Sequence, residues 1–435
     1  MNNKFLREFS KYVSLNVIGM IGLSGYILAD TFFVSQSQGT IGLAALNFSI
    51  SIFSIMQGLG LMIGIGGSTR FSIEKGMGNK REGNSAFFHS LILGLVISML
   101  FIIVAIFFTE PLSIILGADI DALLPTKVYL TTILGFSPFF ILNNILIAFI
   151  RNDNNPKLSM VAMFVSSIAN IVLDYIFMFP LSMGIFGAAF ATGLSPIISL
   201  SILSVHFINK KHGFKLQNSK FRVSNIIDII YLGFSSLIGE LASAIALITF
   251  NRIIFKINGN VGVAAYGIIA NVALIATAIF TGVAQGIQPL VSKSYGEQNK
   301  VSLRKFLKYT SSVTIILSIV IYWAILMGSG RIVILFNSEG SSTLSAIARQ
   351  GLEVYFIGYL FAGANIVSAA FLSAITKGKE ALIISMLRSC IIIVPLVITL
   401  SYFMQMNGVW LSFVLTEFIT FIISMVILAK ENRAL

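Results

Sequence analysis

What this sequence has least of is charge. Asp, Glu, Lys and Arg make up 11% of its 435 residues, where a soluble domain carries about 25%, and that excludes an ordinary globular fold. There is one cysteine, Cys390, so no intrachain disulfide can form. The three histidines, His89, His206 and His212, lack metal-ligand spacing and read as packing or interface residues. No GxxxxGK followed by Ser or Thr occurs, which removes the usual phosphate loop of an ATP-driven pump. What remains is 56% hydrophobic with a mean hydropathy of +0.93, arranged in runs of about 20 residues or more, long enough to cross a bilayer as helices.

Twelve spans are expected, at about 12–34, 42–68, 85–109, 124–150, 157–179, 185–208, 224–250, 261–290, 306–328, 347–375, 380–404 and 407–429. The first is too long for a signal-peptide core and lacks a small-residue cleavage site, so it is expected to stay. Assigning connections alternately to the two sides puts 23 of the 29 Lys and Arg on one side, including Lys4, Arg7, Lys75, Arg151, Lys210, Lys211, Lys377 and Lys430. By the positive-inside rule both termini are cytoplasmic, and plasma-membrane residence is expected. The net charge of +12 is therefore topology rather than a nucleic-acid footprint.

A long connection, Asn209 to Arg222, divides the chain into an expected N-lobe (1–208), a cytoplasmic linker (209–222) and a C-lobe (223–435). Across it runs a repeat. Shifted by 220 residues, GTIGLAALNFSI (39–50) falls on GNVGVAAYGIIA (259–270), pairing Gly39 with Gly259 and Gly42 with Gly262. The same shift pairs Gly66 with Gly286 and Asn79-Lys80 with Asn299-Lys300; Gly187 near Gly408 is a weaker match. Six spans per half leave both halves in one orientation, related by an axis along the membrane normal.

Polar residues inside the spans then stand out. Asn170 and Asp174 lie four apart in ANIVLDYIFMF (169–179), on one helix face. A carboxylate in a membrane helix costs roughly 2.5–3.5 kcal/mol on insertion scales, so it marks a functional site. Asp30 in span 1 and Thr192 in span 6 fall at the same depth, in the outer half of the N-terminal bundle. Two carboxylates at one level in low dielectric repel as anions, so at least one should take up a proton. The same oxygens, with the Asn170 carbonyl and Thr192 hydroxyl, equally suit Na⁺. Under the shift Asp30 falls on Phe250 and Glu240 on Met20, so the acids are not duplicated. Glu240 is expected to line a central cavity facing cationic substrate. Arg388 and Glu417, in spans 11 and 12, are expected to form a structural intramembrane pair.

LADTFFVS in span 1, NIVLDYIF in span 5, GAAFAT in span 6 and GVAAYGIIANVALIATAIFTGVAQGIQPLVSKSYG (262–296) resemble the MATE family, the multidrug and toxic compound extrusion transporters. The resemblance covers essentially the whole chain. It implies an all-α membrane protein of two six-helix, pseudo-twofold-related lobes in a V. It also implies exchange of cationic, amphiphilic compounds for H⁺ or Na⁺ without other cofactor, and matches Asp30, Asn170, Asp174 and Thr192 to the N-lobe cation site of bacterial members. Glu240 matches a position acidic in many of them. Relatives usually carry proline where this chain has Asn16 and Ser236, so a proline-driven bend of span 1 is not expected here. A monomer acting on small molecules within the lipid bilayer, and not an enzyme, is the expected form.

Two alternatives stay open. A flippase for lipid-linked oligosaccharide or peptidoglycan precursors, from the same superfamily, would need several cavity cations for pyrophosphate, whereas the intramembrane charges here are mainly acidic with the one Arg388. An intramembrane aspartyl enzyme would also use two acids, but has no need of the 220-residue duplication.

Overall fold

The computed structural model describes residues 2–208, 212–216, 220–336 and 341–434; Lys210 and Lys211 of the linker, with residues 209 and 217–219, lie outside the described residues. Among the described residues there are helices and short connections but no strand. Apolar stretches of this length become helices because a bilayer offers no water to satisfy backbone N–H and C=O groups.

Helix α1 (Asn2–Gly76) carries spans 1 and 2, α2 (Lys80–Phe107) span 3, and α3 (Thr109–Ile115) a short surface turn. Span 4 is α4 (Ile120–Gly135) and α5 (Ser137–Asn152), bent by 48° at residue 136. Helix α6 (Pro156–Met178) is span 5; α7 (Gly184–Leu203), with α8 (Val205–Ile208), is span 6. The second half repeats the order: α9 (Val223–Gly296) carries spans 7 and 8, and α10 (Lys300–Phe336) is span 9. Helices α11 (Ser342–Tyr355) and α12 (Tyr359–Ala374) make span 10. Helix α13 (Gly378–Met386) continues through a π turn at Leu387–Ile391 into α14 (Ile393–Ala434), which carries spans 11 and 12. With α1, α9 and α14 each counted as two spans, the described residues make twelve, six on either side of the linker.

The connections expected at 35–41, 251–260 and 405–406 do not exist as loops. In each case helix runs into helix across one residue: Gly39 (φ 59°, ψ −148°), Gly259 (φ 57°, ψ −148°) and Gln405 (φ 52°, ψ −132°). This backbone region is essentially reserved for glycine. The glycine three residues later explains the rest of the GxxG pattern. A Cβ on Gly42 would lie 2.3 Å from Gln38 Cβ, and one on Gly262 2.8 Å from Asn258 Cβ. The 220-residue repeat is therefore a repeat of backbone conformation. It persists at Gly78 and Gln298 (φ 84° and 55°), at Asn154 and Thr376 (φ 63° and 65°), and at Gly184 and Gln405 (φ 59° and 52°).

The two bundles meet backbone to backbone near the linker end. Side chains on Gly66 and Gly233 would collide with Ile229 O and Met62 O, and on Gly76 and Gly296 with Lys293 O and Ile73 O. Gly282 and Gly286 likewise face the backbone of Val17 and Val13. The start of each half crosses over: Phe9, Tyr12 and Val13 join a C-lobe core with Val283, Phe306 and Leu372, while Ile229 and Leu237 join the N-lobe core. Small residues permit this close approach in a membrane, where apolar surface alone drives no helix association.

Candidate cation site

Three helices bring the expected residues together. Asp30 lies on the first arm of α1, nine positions before Gly39; Asn170 and Asp174 lie one turn apart on α6; Thr192 lies on α7. Helix α6 starts with Pro156 in its first turn and Asn155 as its cap, the Asn155 side chain accepting from Leu158 N–H at 3.3 Å. Gly184, at positive φ, starts α7 and returns it alongside α6. Asn170 and Asp174 are fully buried, Thr192 and Asp30 nearly so.

The Asn170 amide is the hinge of the cluster. It donates to Asp174 Oδ2 at 3.1 Å while its carbonyl oxygen accepts from Thr192 N–H at 3.3 Å; the opposite amide orientation points Nδ2 at Thr192 Oγ1, 3.4 Å away. Asp30 and Asp174 are within electrostatic reach of each other. Asp30 Oδ1 and Asp174 Oδ1 are both buried without a hydrogen-bond partner among the described residues. A buried acceptor left in that state costs about 1–3 kcal/mol, more when charged. Two such oxygens, on different spans, are free to take a proton or a cation. The donor set is all oxygen, which fits a hard ion, and no group of three or more His, Cys, Asp or Glu forms a metal cluster among the described residues.

Two tyrosines complete the surroundings and were not singled out by sequence reasoning. Tyr26 on α1 and Tyr129 on α4 are buried and lie within electrostatic reach of both aspartates. Tyr26 had a usable signal, since it sits four residues before Asp30 on the same helix face. Tyr129 had none, because only the packing of α4 brings it there.

Glu240 is not part of this cluster. It stands on the first arm of α9, partly exposed, where a Cβ added at Gly58 of the other lobe would come 3.3 Å from Glu240 Cβ. Tyr26 lies within electrostatic reach of Glu240 as well as of the two aspartates. The C-lobe positions equivalent to the site are apolar: Phe250, in place of Asp30, is fully buried and stacks on Tyr266 at 5.3 Å. Phe413, in place of Thr192 at an offset of 221, stacks on Tyr355 at 4.0 Å.

Arg388 and Glu417 meet as a bidentate pair, Nε 3.0 Å from both carboxylate oxygens and Nη2 2.7 Å from Oε1. Asn365 Nδ2 donates to Glu417 Oε2 at 2.7 Å, and Ser424 Oγ to Asn365 Oδ1 at 3.0 Å. Arg388 rides on the π turn at 387–391.

Arg151, counted among the cations of the linker-side connections, is 1% exposed. Its Nη1 donates to Asn16 Oδ1 at 3.0 Å and to Gln285 Oε1, across the lobes, at 2.7 Å. Beside it Asn152 Nδ2 donates to Gln288 Oε1 at 3.1 Å. Asn16 also donates to Tyr12 O at 2.8 Å, and α1 runs helically through it. Where the resemblance implied a proline, Asn16 is part of a hydrogen-bonded junction in an unbroken stretch of helix.

Known proteins match this architecture along its length. The family model described as MatE matches residues 17–176 and 236–399, one segment in each half. The multidrug export protein MepA of Staphylococcus saprophyticus is 25% identical over 411 residues, covering 92% of this chain and 88% of that protein. The MepA of Staphylococcus haemolyticus is 25% identical over 415 residues, covering 94% and 90%. Among solved structures, an outward-facing multidrug resistance MATE family transporter of the MOP superfamily superposes with a TM-score of 0.92 at 23% identity, covering 98% of this chain and 96% of that one. MATE in complex with MaL6 gives 0.93 at the same identity and coverage. With both halves matched by one family model and the twelve-span, two-bundle fold in common, the chain belongs to the MatE family of multi-pass membrane transporters.

Proposed function

We propose that this protein is a secondary multidrug exporter that exchanges cationic or amphiphilic organic compounds for H⁺ or Na⁺ across a bacterial cell membrane, with both termini cytoplasmic. The observation that carries the ion half of this reading is the pair of unpartnered carboxyl oxygens, Asp30 Oδ1 and Asp174 Oδ1, buried together on separate spans. The drug half draws on the relatives named multidrug export protein. Asp30 and Asp174 take up the coupling ion, Asn170 and Thr192 orient the acids, and Glu240 faces the substrate's positive charge from the other lobe. With the linker side in the cytoplasm, the glycine seam and the Arg151–Gln285 bond close the cytoplasmic entrance. Loading the acids from outside neutralises them and lets α1 repack, expelling substrate; reopening the seam resets the cycle.

Charge arithmetic favours the use of both acids. Exchange of one H⁺ for one monocation moves no net charge, leaving about 1.4 kcal/mol per pH unit. A second H⁺ adds about 2.3 kcal/mol per 100 mV, or roughly fortyfold more accumulation. The test is efflux of a fluorescent organic cation from proteoliposomes under imposed pH, Na⁺ and voltage gradients. Gradient-dependent efflux supports the reading; transport indifferent to both ions, or of a lipid-linked pyrophosphate instead, overturns it.

A further inference from the structure

From the linker side of the molecule we infer that a notch formed by Arg81, Lys220 and Arg222 binds the phosphate headgroup of an anionic phospholipid in the adjacent leaflet. The three cations line one concavity with Ser85 and a single acid, Glu82. Arg222 shares Glu82, Nη1 to Oε1 at 3.3 Å, while no ion pair engages Arg81 or Lys220 among the described residues. Nor does the surrounding sequence offer a carboxylate: no Asp or Glu occurs between Asp174 and Asp228, whereas Lys210, Lys211, Lys215, Lys220 and Arg222 all fall there. A run of cations directly beside a membrane span is the pattern that anionic lipid surfaces attract.

Three further features make this a built site rather than a diffuse patch. The linker backbone is pinned to the N-lobe, with Lys215 N–H donating to Asn84 Oδ1 at 2.9 Å and Arg222 N–H to His89 Nε2 at 2.9 Å. Phe214 is fully buried against Phe71, Phe87 and Phe149, which anchors residues 212–216 on the N-lobe. Phe221 and Val223, interleaved with the cations, are 58% and 60% exposed and offer apolar surface beside them. A phosphate between Arg81 and Lys220 satisfies both cations while its acyl chains lie on Phe221 and Val223.

The site has a mechanical consequence. Asn225, at the start of α9, donates to Ser85 Oγ at 3.0 Å across the lobes, so a headgroup held by Arg81 and Arg222 tightens the same junction. Bound anionic lipid should therefore favour the form in which the linker-side seam is closed.

The experiment titrates the detergent-solubilised full chain with dioctanoyl phosphatidylglycerol, dioctanoyl phosphatidylcholine or inorganic phosphate, reading the thermal-unfolding midpoint. A saturable rise with phosphatidylglycerol alone is expected. Its half-saturating concentration should increase on the order of a hundredfold in the triple variant Arg81→Gln, Lys220→Gln, Arg222→Gln. An equal response from the variant, or from phosphatidylcholine, overturns the site, and an equal response to inorganic phosphate overturns the lipid as its source. Should the variant not fold, the unaltered chain decides: photoactivatable phosphatidylglycerol in mixed phosphatidylcholine vesicles should crosslink within 81–85 and 220–227. A crosslink map that misses both segments refutes the proposal.

Discussion

Asp174→Asn separates the ion chemistry of this protein from its folding. The substitution keeps the size of the side chain and removes its ionisation. Asn170 Nδ2, which donates to Asp174 Oδ2 at 3.1 Å, finds a carbonyl oxygen in the same place, so the bundle loses at most one hydrogen bond, about 1 kcal/mol. The loss in coupling is larger. If Asp30 still carries one proton, exchange with a monovalent drug becomes electroneutral and forfeits about 2.3 kcal/mol per 100 mV. In proteoliposomes held near 100 mV without a pH difference, accumulation of a fluorescent cation should then fall about fortyfold. If both acids must load together, gradient-driven transport should vanish. Asp30→Asn should behave likewise; the double variant should lose the remaining pH-driven exchange in the first case and be no worse than either single variant in the second. Undiminished voltage- and ion-driven transport by Asp174→Asn would refute the reasoning. So would a collapse of the melting transition, which would make Asp174 a structural residue.

Other outcomes follow from the backbone, the seam and the linker-side connections. Gly39→Ala places a Cβ at φ 59°, ψ −148° and should cost about 1–3 kcal/mol, whereas Gln405→Gly relieves the same strain and should raise the melting midpoint; a reversed order would show that these joints are not strained. Arg151→Met leaves Asn16 Oδ1 and Gln285 Oε1 without their donor, a loss of about 1.5–3 kcal/mol. Spin labels on the two lobes should then report longer linker-side distances, and unchanged distances would remove Arg151 from the seam. Burial alone would raise the Asp153 carboxyl, but hydrogen bonds from His206, Lys75 and the Gly213 N–H outweigh it and hold that carboxyl below its usual value. The resulting stability is full above about pH 4 and fades as pH falls through the depressed folded value. Asp153→Asn should therefore lower the midpoint at neutral pH and flatten its decline in acid; equal acid sensitivity in both proteins would count against this account.

Much of this protein is legible along one dimension. Length and hydropathy determine the twelve spans, because a bilayer forces every apolar stretch of about 20 residues into a helix. Depth along those helices puts Asp30, Asn170, Asp174 and Thr192 at one level; in the structure Asn170 bridges Asp174 and Thr192, and Asp30 is within electrostatic reach of Asp174. The GxxG pairs at 39–42 and 259–262 announce a duplication, and the matched dihedrals of Gly39 and Gly259 show it to be a duplication of chain reversal. What sequence could not determine is which helix faces meet, since that depends on rotation and crossing of rods whose individual periodicity is the same either way. Tyr129 reaches the acids only because α4 packs beside them, and Arg151 turns inward to Gln285, and Phe9 and Tyr12 join the opposite lobe's core, only because the bundles interdigitate at the linker end. Covalent order and the bilayer set the helices and the depth of each polar group. Close contact across glycine faces, felt only when both lobes are assembled, chose their partners.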